Sequence, residues 1–144
     1  MRKLLLISVI TFYFVACKNL PNERIAEKTI INSISEISNQ NVELIEFKKI
    51  NAQEQNIFGV EIYEIEFDGK IRYKKSGFIN EYSVKSHGLN DNNFLIIKDD
   101  INNRLKDNYT EVKQNDEINI TGKIKFEKKE NGWSEKKPLI KIKK

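Results

Sequence analysis

The chain has 144 residues, with 25 Lys and Arg against 21 Asp and Glu, one His and one Cys. That length corresponds to one domain able to bury a core without metal or disulfide support, and a lone cysteine excludes an internal disulfide. Charges of both signs run through the chain, so a net charge of +4 is not the clustered basic face of a nucleic-acid binder, and no nucleic-acid partner is expected.

Met1-Arg2-Lys3 is a basic start, and residues 4–16 are apolar apart from Ser8 and Thr11. This run of 13 residues is shorter than the roughly 20 that a membrane-spanning helix needs. A charged start, a short apolar stretch and small residues before a cleavage point predict a secretory signal peptide. Phe14-Val15-Ala16-Cys17 closes the run, and the character changes at once to Lys18-Asn19. The tetrad resembles the lipobox of bacterial lipoproteins; Val15 and Ala16 fit it, and Phe14 stands where the family prefers leucine.

The resemblance implies that a diacylglycerol is attached to the Cys17 thiol, that the signal is cut before it, and that the new amine is acylated as well. The thiol is then consumed, so Cys17 is neither a nucleophile nor a metal ligand. Stable anchoring takes two membrane signals rather than one chain, each buried CH₂ adding about 0.8 kcal/mol, and two or three acyl chains on one residue meet that need. An ordinary signal peptide leaving a free thiol is the alternative. The expected organisation is a signal peptide at 1–16, a lipidated tether at 17–22 and a single α+β domain at 23–144. The mature chain keeps 128 of the 144 residues and loses Arg2 and Lys3, leaving 23 cationic against 21 acidic groups, a net charge of about +2. Lys18 rather than aspartate follows the cysteine. By resemblance to enterobacterial sorting, this implies the outer membrane rather than the inner, with the domain facing the periplasm.

The tether to Asn22 is about five residues and reaches at most about 17 Å. Asn22 suits a helix N-cap, with Glu23 in the first turn. Ala26, Ile30, Ile34 and Ile37 then make one apolar stripe, and 38–41 ends the helix. Residues 42–50 are rich in β-branched and aromatic types. Residues 60–73 predict a hairpin around Phe67-Asp68-Gly69, because that loop pairs Ile65 with Ile71, Tyr63 with Tyr73, Glu66 with Lys70 and Glu64 with Arg72. A one-residue slip would mix the faces.

Phe78, Tyr82 and Val84 predict a third strand, and 86–93 a long polar loop. Ile97, Ile101, Leu105 and Tyr109 recur every four residues, predicting a second helix within 93–109. Ile118, Ile120, Ile124 and Phe126 alternate with polar residues, Asn131-Gly132 signals a turn, and a last strand runs over 139–143 behind Pro138. A helix, antiparallel strands, a helical insert and a terminal hairpin give an α+β fold. The order resembles cystatin-like domains and the nuclear-transport-factor-like cone, a helix laid across a curved antiparallel sheet, and residues 124–134 resemble the closing hairpin of small envelope lipoproteins. Such a likeness bears on fold and assigns no activity.

Candidate chemistry is sparse. His87 lies in the loop 86–93 with no nucleophile or carboxylate at a catalytic spacing, and zinc ligation needs Cys and His clusters that this chain lacks. Asp91, Asp99 and Asp100 do not follow a calcium-loop pattern. Glu64 and Glu66 read as solvated ion pairs with Lys70 and Arg72. Lys136, Lys137, Lys141, Lys143 and Lys144 suit the solvent side of an edge strand and, less well, an anionic surface. Trp133 reads either as a plug at one end of the sheet or as an exposed recognition residue, and His87 is the other recognition candidate. The expectation is a non-enzymatic, membrane-anchored binding or structural module of the cell envelope. Its lipid is on Cys17, it has an envelope protein as partner, and it uses no metal or cofactor. Two alternatives are an inhibitor or immunity protein working through the loop 86–93, and a weak hydrolase or small-ligand carrier with a pocket under the sheet.

Overall fold

The computed structural model describes residues 19–80 and 93–143. Helix α1 (Glu23–Ile37) starts where the sequence places it. Asn22 is extended (φ −87°, ψ 173°) and its Oδ1 accepts a hydrogen bond from the Ile25 N–H at 3.0 Å, satisfying one of the orphan donors of the first turn. Ala26, Ile30 and Ile34 are buried. The helix ends because Asn39 and Gln40 turn left-handed (φ 55° and 63°). Ser38, buried at the reversal, accepts from the Val42 N–H at 3.1 Å.

The chain then builds one long hairpin from β1 (Val42–Ile57) and β2 (Val60–Tyr73). This corrects the hairpin expected at Phe67-Asp68-Gly69. The reversal is Phe58-Gly59, both at positive φ (50° and 84°), the mirror-image two-residue turn that matches strand twist. Ile57 pairs with Val60, and the Asn56 Oδ1 accepts from the Gly59 N–H. Asp68 and Gly69 lie inside a continuous strand, opposite Lys48 and Phe47 on one side and Thr121 and Ile120 on the other. Gly69 marks a close approach rather than a turn: a Cβ there would stand 2.8 Å from the Glu46 carbonyl oxygen. The register of β1 on β2 shifts twice, between Leu44 and Glu46 and between Lys49 and Asn51. These bulges set Ile45 and Ile50 outside the pairing and bend the strand.

Strand β5 (Glu117–Lys129) pairs with β2 from Ile62↔Glu127 to Arg72↔Glu117. Its outer side is shared by β6 (Gly132–Glu135), paired near its end, and β7 (Leu139–Ile142), paired with residues 120–123. The terminal strands thus appear as expected, with Glu130-Asn131 forming the turn before Gly132. Every pairing among the described residues is antiparallel, and α1 packs across one face of the sheet. The fold is α+β.

Between β2 and β5, a two-stranded ribbon of β3 (Gly77–Ile79) and β4 (Thr110–Val112) brings Ile79 and Val112 into the core. The helix expected within 93–109 is replaced by two 3₁₀ turns, Asn93–Leu95 and Asn103–Asn108. Between them Lys98 bridges to Phe78, and the Asp100 side chain accepts from the Ile101 N–H. Short Asp and Asn side chains compete for backbone groups in this way, and that competition defeats the four-residue apolar period. Phe78 joins β3, while Tyr82, Val84 and the loop 86–92 lie outside the described residues.

Strand alternation sorts the sheet into two faces. The covered face carries Ile65, Phe67, Ile71, Tyr73, Ile120, Ile124 and Phe126, which form a single core with the α1 stripe and with Phe94 and Leu95. The Tyr73 hydroxyl donates to the Phe94 carbonyl at 2.9 Å. The open face carries the charges.

Candidate functional site

The open face is where the fold gathers polar chemistry. Residues i and i+2 of β2 point the same way, so Glu64, Glu66, Asp68, Lys70 and Arg72 form one row, flanked by Glu43 and Glu46 of β1 and by Glu117, Lys123 and Lys125 of β5. The expected pairing of Glu64 with Arg72 and Glu66 with Lys70 is corrected by the straight course of β2, because the partners come from neighbouring strands. Arg72 meets Glu117 at 2.7 Å and Glu43 at 3.6 Å. Lys70 meets Glu46 at 2.8 Å. Lys123 bridges Glu66 at 2.6 Å and Glu64 at 3.0 Å, and Lys143 of the last strand reaches Asp68 at 2.5 Å.

Glu64 is the centre of this row. It is only 4% exposed, lying under its own partners: Lys123 and Lys125, the latter at 3.4 Å, and the Gln53 amide, which donates to it at 3.2 Å. Burial pushes its carboxyl up, but the hydrogen bonds from Lys123, Gln53 and Lys125 outweigh that and hold it below the ordinary value. The Lys143 ammonium lowers Asp68 in the same way. Lys129 and Lys136 hold Glu127 down at about 2. A general acid needs a raised pKa, and Glu64 and Asp68 move the opposite way. They are fixed anions at neutral pH, matched by ammonium groups.

A groove of about 250 Å³ crosses this face, lined by Ile50, Glu66, Asp68, Thr121, Lys123 and Lys141. The Lys49–Asn51 bulge brings Ile50 to its rim. The Thr121 hydroxyl is already engaged, donating to the Phe67 carbonyl at 3.1 Å. A second groove, polar and about 520 Å³, runs between α1 and the β6–β7 connection, with Asn32, Glu36, Lys136 and Lys137 on its walls. Among the described residues no three His, Cys, Asp or Glu side chains stand close enough to hold a metal ion.

Trp133 is half-buried. Its ring packs against Tyr63, centroids 6.2 Å apart and tilted 56°, and the Lys128 ammonium sits 5.2 Å from its centre. It closes one end of the covered face with one edge open to solvent. Cys17 and His87 lie outside the described residues. What sequence reasoning missed is the hairpin end. Ile57, Phe58 and Val60 are all exposed, Phe58 completely at 103%. The signal was present as Phe58-Gly59 between two alternating runs, but Asp68-Gly69 carries the stronger turn composition. No family model, curated protein or solved structure matches this chain.

Proposed function

We propose that this chain is a lipid-anchored, non-enzymatic binding or structural module of the bacterial cell envelope, held to the membrane through Cys17 and facing the periplasm from the outer membrane. The observation that carries the reading is the only cysteine standing directly behind the 13-residue apolar run and Val15-Ala16. The packed body supports it. Pro21 is buried and Leu20 packs on the core, so the fold begins three residues after Cys17 and the tether is short. The open face supports a module that presents a stable polar surface, because its carboxylates are paired with lysines and lowered rather than poised for proton transfer. An envelope protein is the partner class such a surface suits.

Of the two fold resemblances, the cystatin-like one is the better supported. One helix packs on an antiparallel sheet whose first strand carries two register shifts, and the described part of the segment between β2 and β5 forms a ribbon and 3₁₀ turns. Metabolic labelling with a palmitate analogue, with and without Cys17→Ser, tests the anchor. Label and membrane fractionation both disappear in the variant if the reading holds; a Cys17→Ser chain that still takes up fatty acid refutes it.

A further inference from the structure

The start of α1 lies beside the middle of β1, at the end of the helix nearer the hairpin turn. The Lys49 N–H donates to Glu23 Oε1 at 3.4 Å, while Ser38 at the other end of α1 holds Val42. Helix α1 therefore runs antiparallel to β1, and its first residue points toward the Phe58 turn. Phe58 lies nine residues past Lys49, about 30 Å along an extended strand. Cys17 lies six residues before Glu23, a reach of at most about 20 Å. Along the strand direction the turn therefore extends at least about 10 Å farther than the chain from Glu23 to Cys17 can reach.

The turn itself is apolar, with Asn56 and Glu61 paired directly behind it. Ile57, Phe58 and Val60 project past the last β2–β5 pair, Ile62↔Glu127, and among the described residues none covers Phe58. One layer back the half-buried Trp133 packs on the core residue Tyr63, and Trp is a residue enriched at headgroup depth. Lys128 lies over the Trp133 ring, a cation of the kind attracted to anionic headgroups.

We infer that residues 57–60 are a second, non-covalent membrane contact, dipping into the bilayer that holds the lipid on Cys17 and fixing how the domain stands on it. The inference rests on the lipid-anchor reading. Two tethers at one end leave the charged open face standing away from the membrane along the strand direction, available to a partner. Apolar surface buried by such contacts enters about 5–10 Å at the headgroup boundary, the depth of one hairpin turn.

The test uses the full-length acylated protein carrying Phe58→Cys or, at the opposite end of the sheet, Lys113→Cys. Each is labelled with an environment-sensitive fluorophore and reconstituted into phosphatidylethanolamine–phosphatidylglycerol vesicles, with and without brominated acyl chains. Acylation blocks Cys17, so each chain takes one label. The expected result is blue-shifted emission and bromine quenching at position 58, with neither at 113. Protein that floats with the vesicles but shows equal, unquenched emission at both positions overturns the inference and leaves the anchor standing. A blue shift at 58 without bromine quenching means the turn lies against protein, a second copy included, and also overturns it. Two labels per chain with no flotation refute the anchor, and this inference falls with it.

Discussion

Replacing Glu64 by Gln removes one negative charge from beneath Lys123 and Lys125 while keeping the shape of the side chain. Hydrogen bonds to a charged group contribute about 1.5–3 kcal/mol, and Glu64 accepts from Lys123 and Gln53 and lies within ion-pair range of Lys125. The full sum does not apply. The two lysine side chains are 43% and 51% exposed, so each pair is screened toward the surface value of about 0–1 kcal/mol, and Lys123 keeps Glu66. The expected loss is about 1–2 kcal/mol, or roughly 3–8 °C in Tm for a domain of this size.

The pH dependence identifies the cause. The folded pKa of Glu64 lies below its ordinary 4.5, so its ionised form stabilises the fold above the unfolded value. That contribution fades as pH falls through the lower, folded one. Urea titrations at pH 7 and at stepwise lower pH, wild type against Glu64→Gln, should show the gap shrinking below pH 4.5 and closing once wild-type Glu64 is protonated. High salt should narrow it at pH 7. A gap that stays constant down to acid pH would mean packing, not charge, holds Glu64 in place.

Gly122→Ala should cost about 1–3 kcal/mol through overpacking, because its Cβ would meet the Leu139 carbonyl at 2.3 Å and the Phe67 ring at 2.7 Å; chemical denaturation measures this, and a neutral result would show that β7 yields freely. Asn22→Ala should cost about 1 kcal/mol by removing the helix cap, visible as a lower Tm. Phe58→Asn should leave stability unchanged or raise it by about 0.4–1 kcal/mol, since Asn tolerates positive φ better than Phe and no packing is lost; a clear drop in Tm would show that Phe58 supports the fold.

Helix α1 and strand β5 are written in local pattern. The Ala26–Ile30–Ile34 stripe and the alternation through Ile118, Ile120, Ile124 and Phe126 each need only one periodicity to be read. The β1–β2 hairpin was misplaced because alternation does not locate a turn. Tyr63, Ile65, Ile71 and Tyr73 share one face whether the chain reverses over Phe67-Asp68-Gly69 or runs straight on. What separates the two arrangements is long-range: Gly69 is small because Glu46 and Ile120 crowd it from both neighbouring strands, and no local window contains that fact. The insert failed for the opposite reason. Its four-residue period was real, yet the Asp100 side chain engages the Ile101 N–H in place of a helical partner. On the open face the charged row of β2 was legible, but its partners were not, because strand order decides that Lys123 rather than Lys70 sits over Glu66.

Phe58 carries the argument one step further. A sequence that specifies its fold well satisfies local rules at every position, and departures cluster where function demands them. A turn with two positive-φ residues favours Asn-Gly or Asp-Gly, and a soluble surface favours a polar side chain. Phe58 breaks both preferences at the most exposed point of the β1–β2 hairpin, and no contact among the described residues compensates. The compensation therefore lies outside the folded chain. On the lipid-anchor reading, with Cys17 six residues before the helix start, a bilayer surface is the nearest apolar medium to supply it.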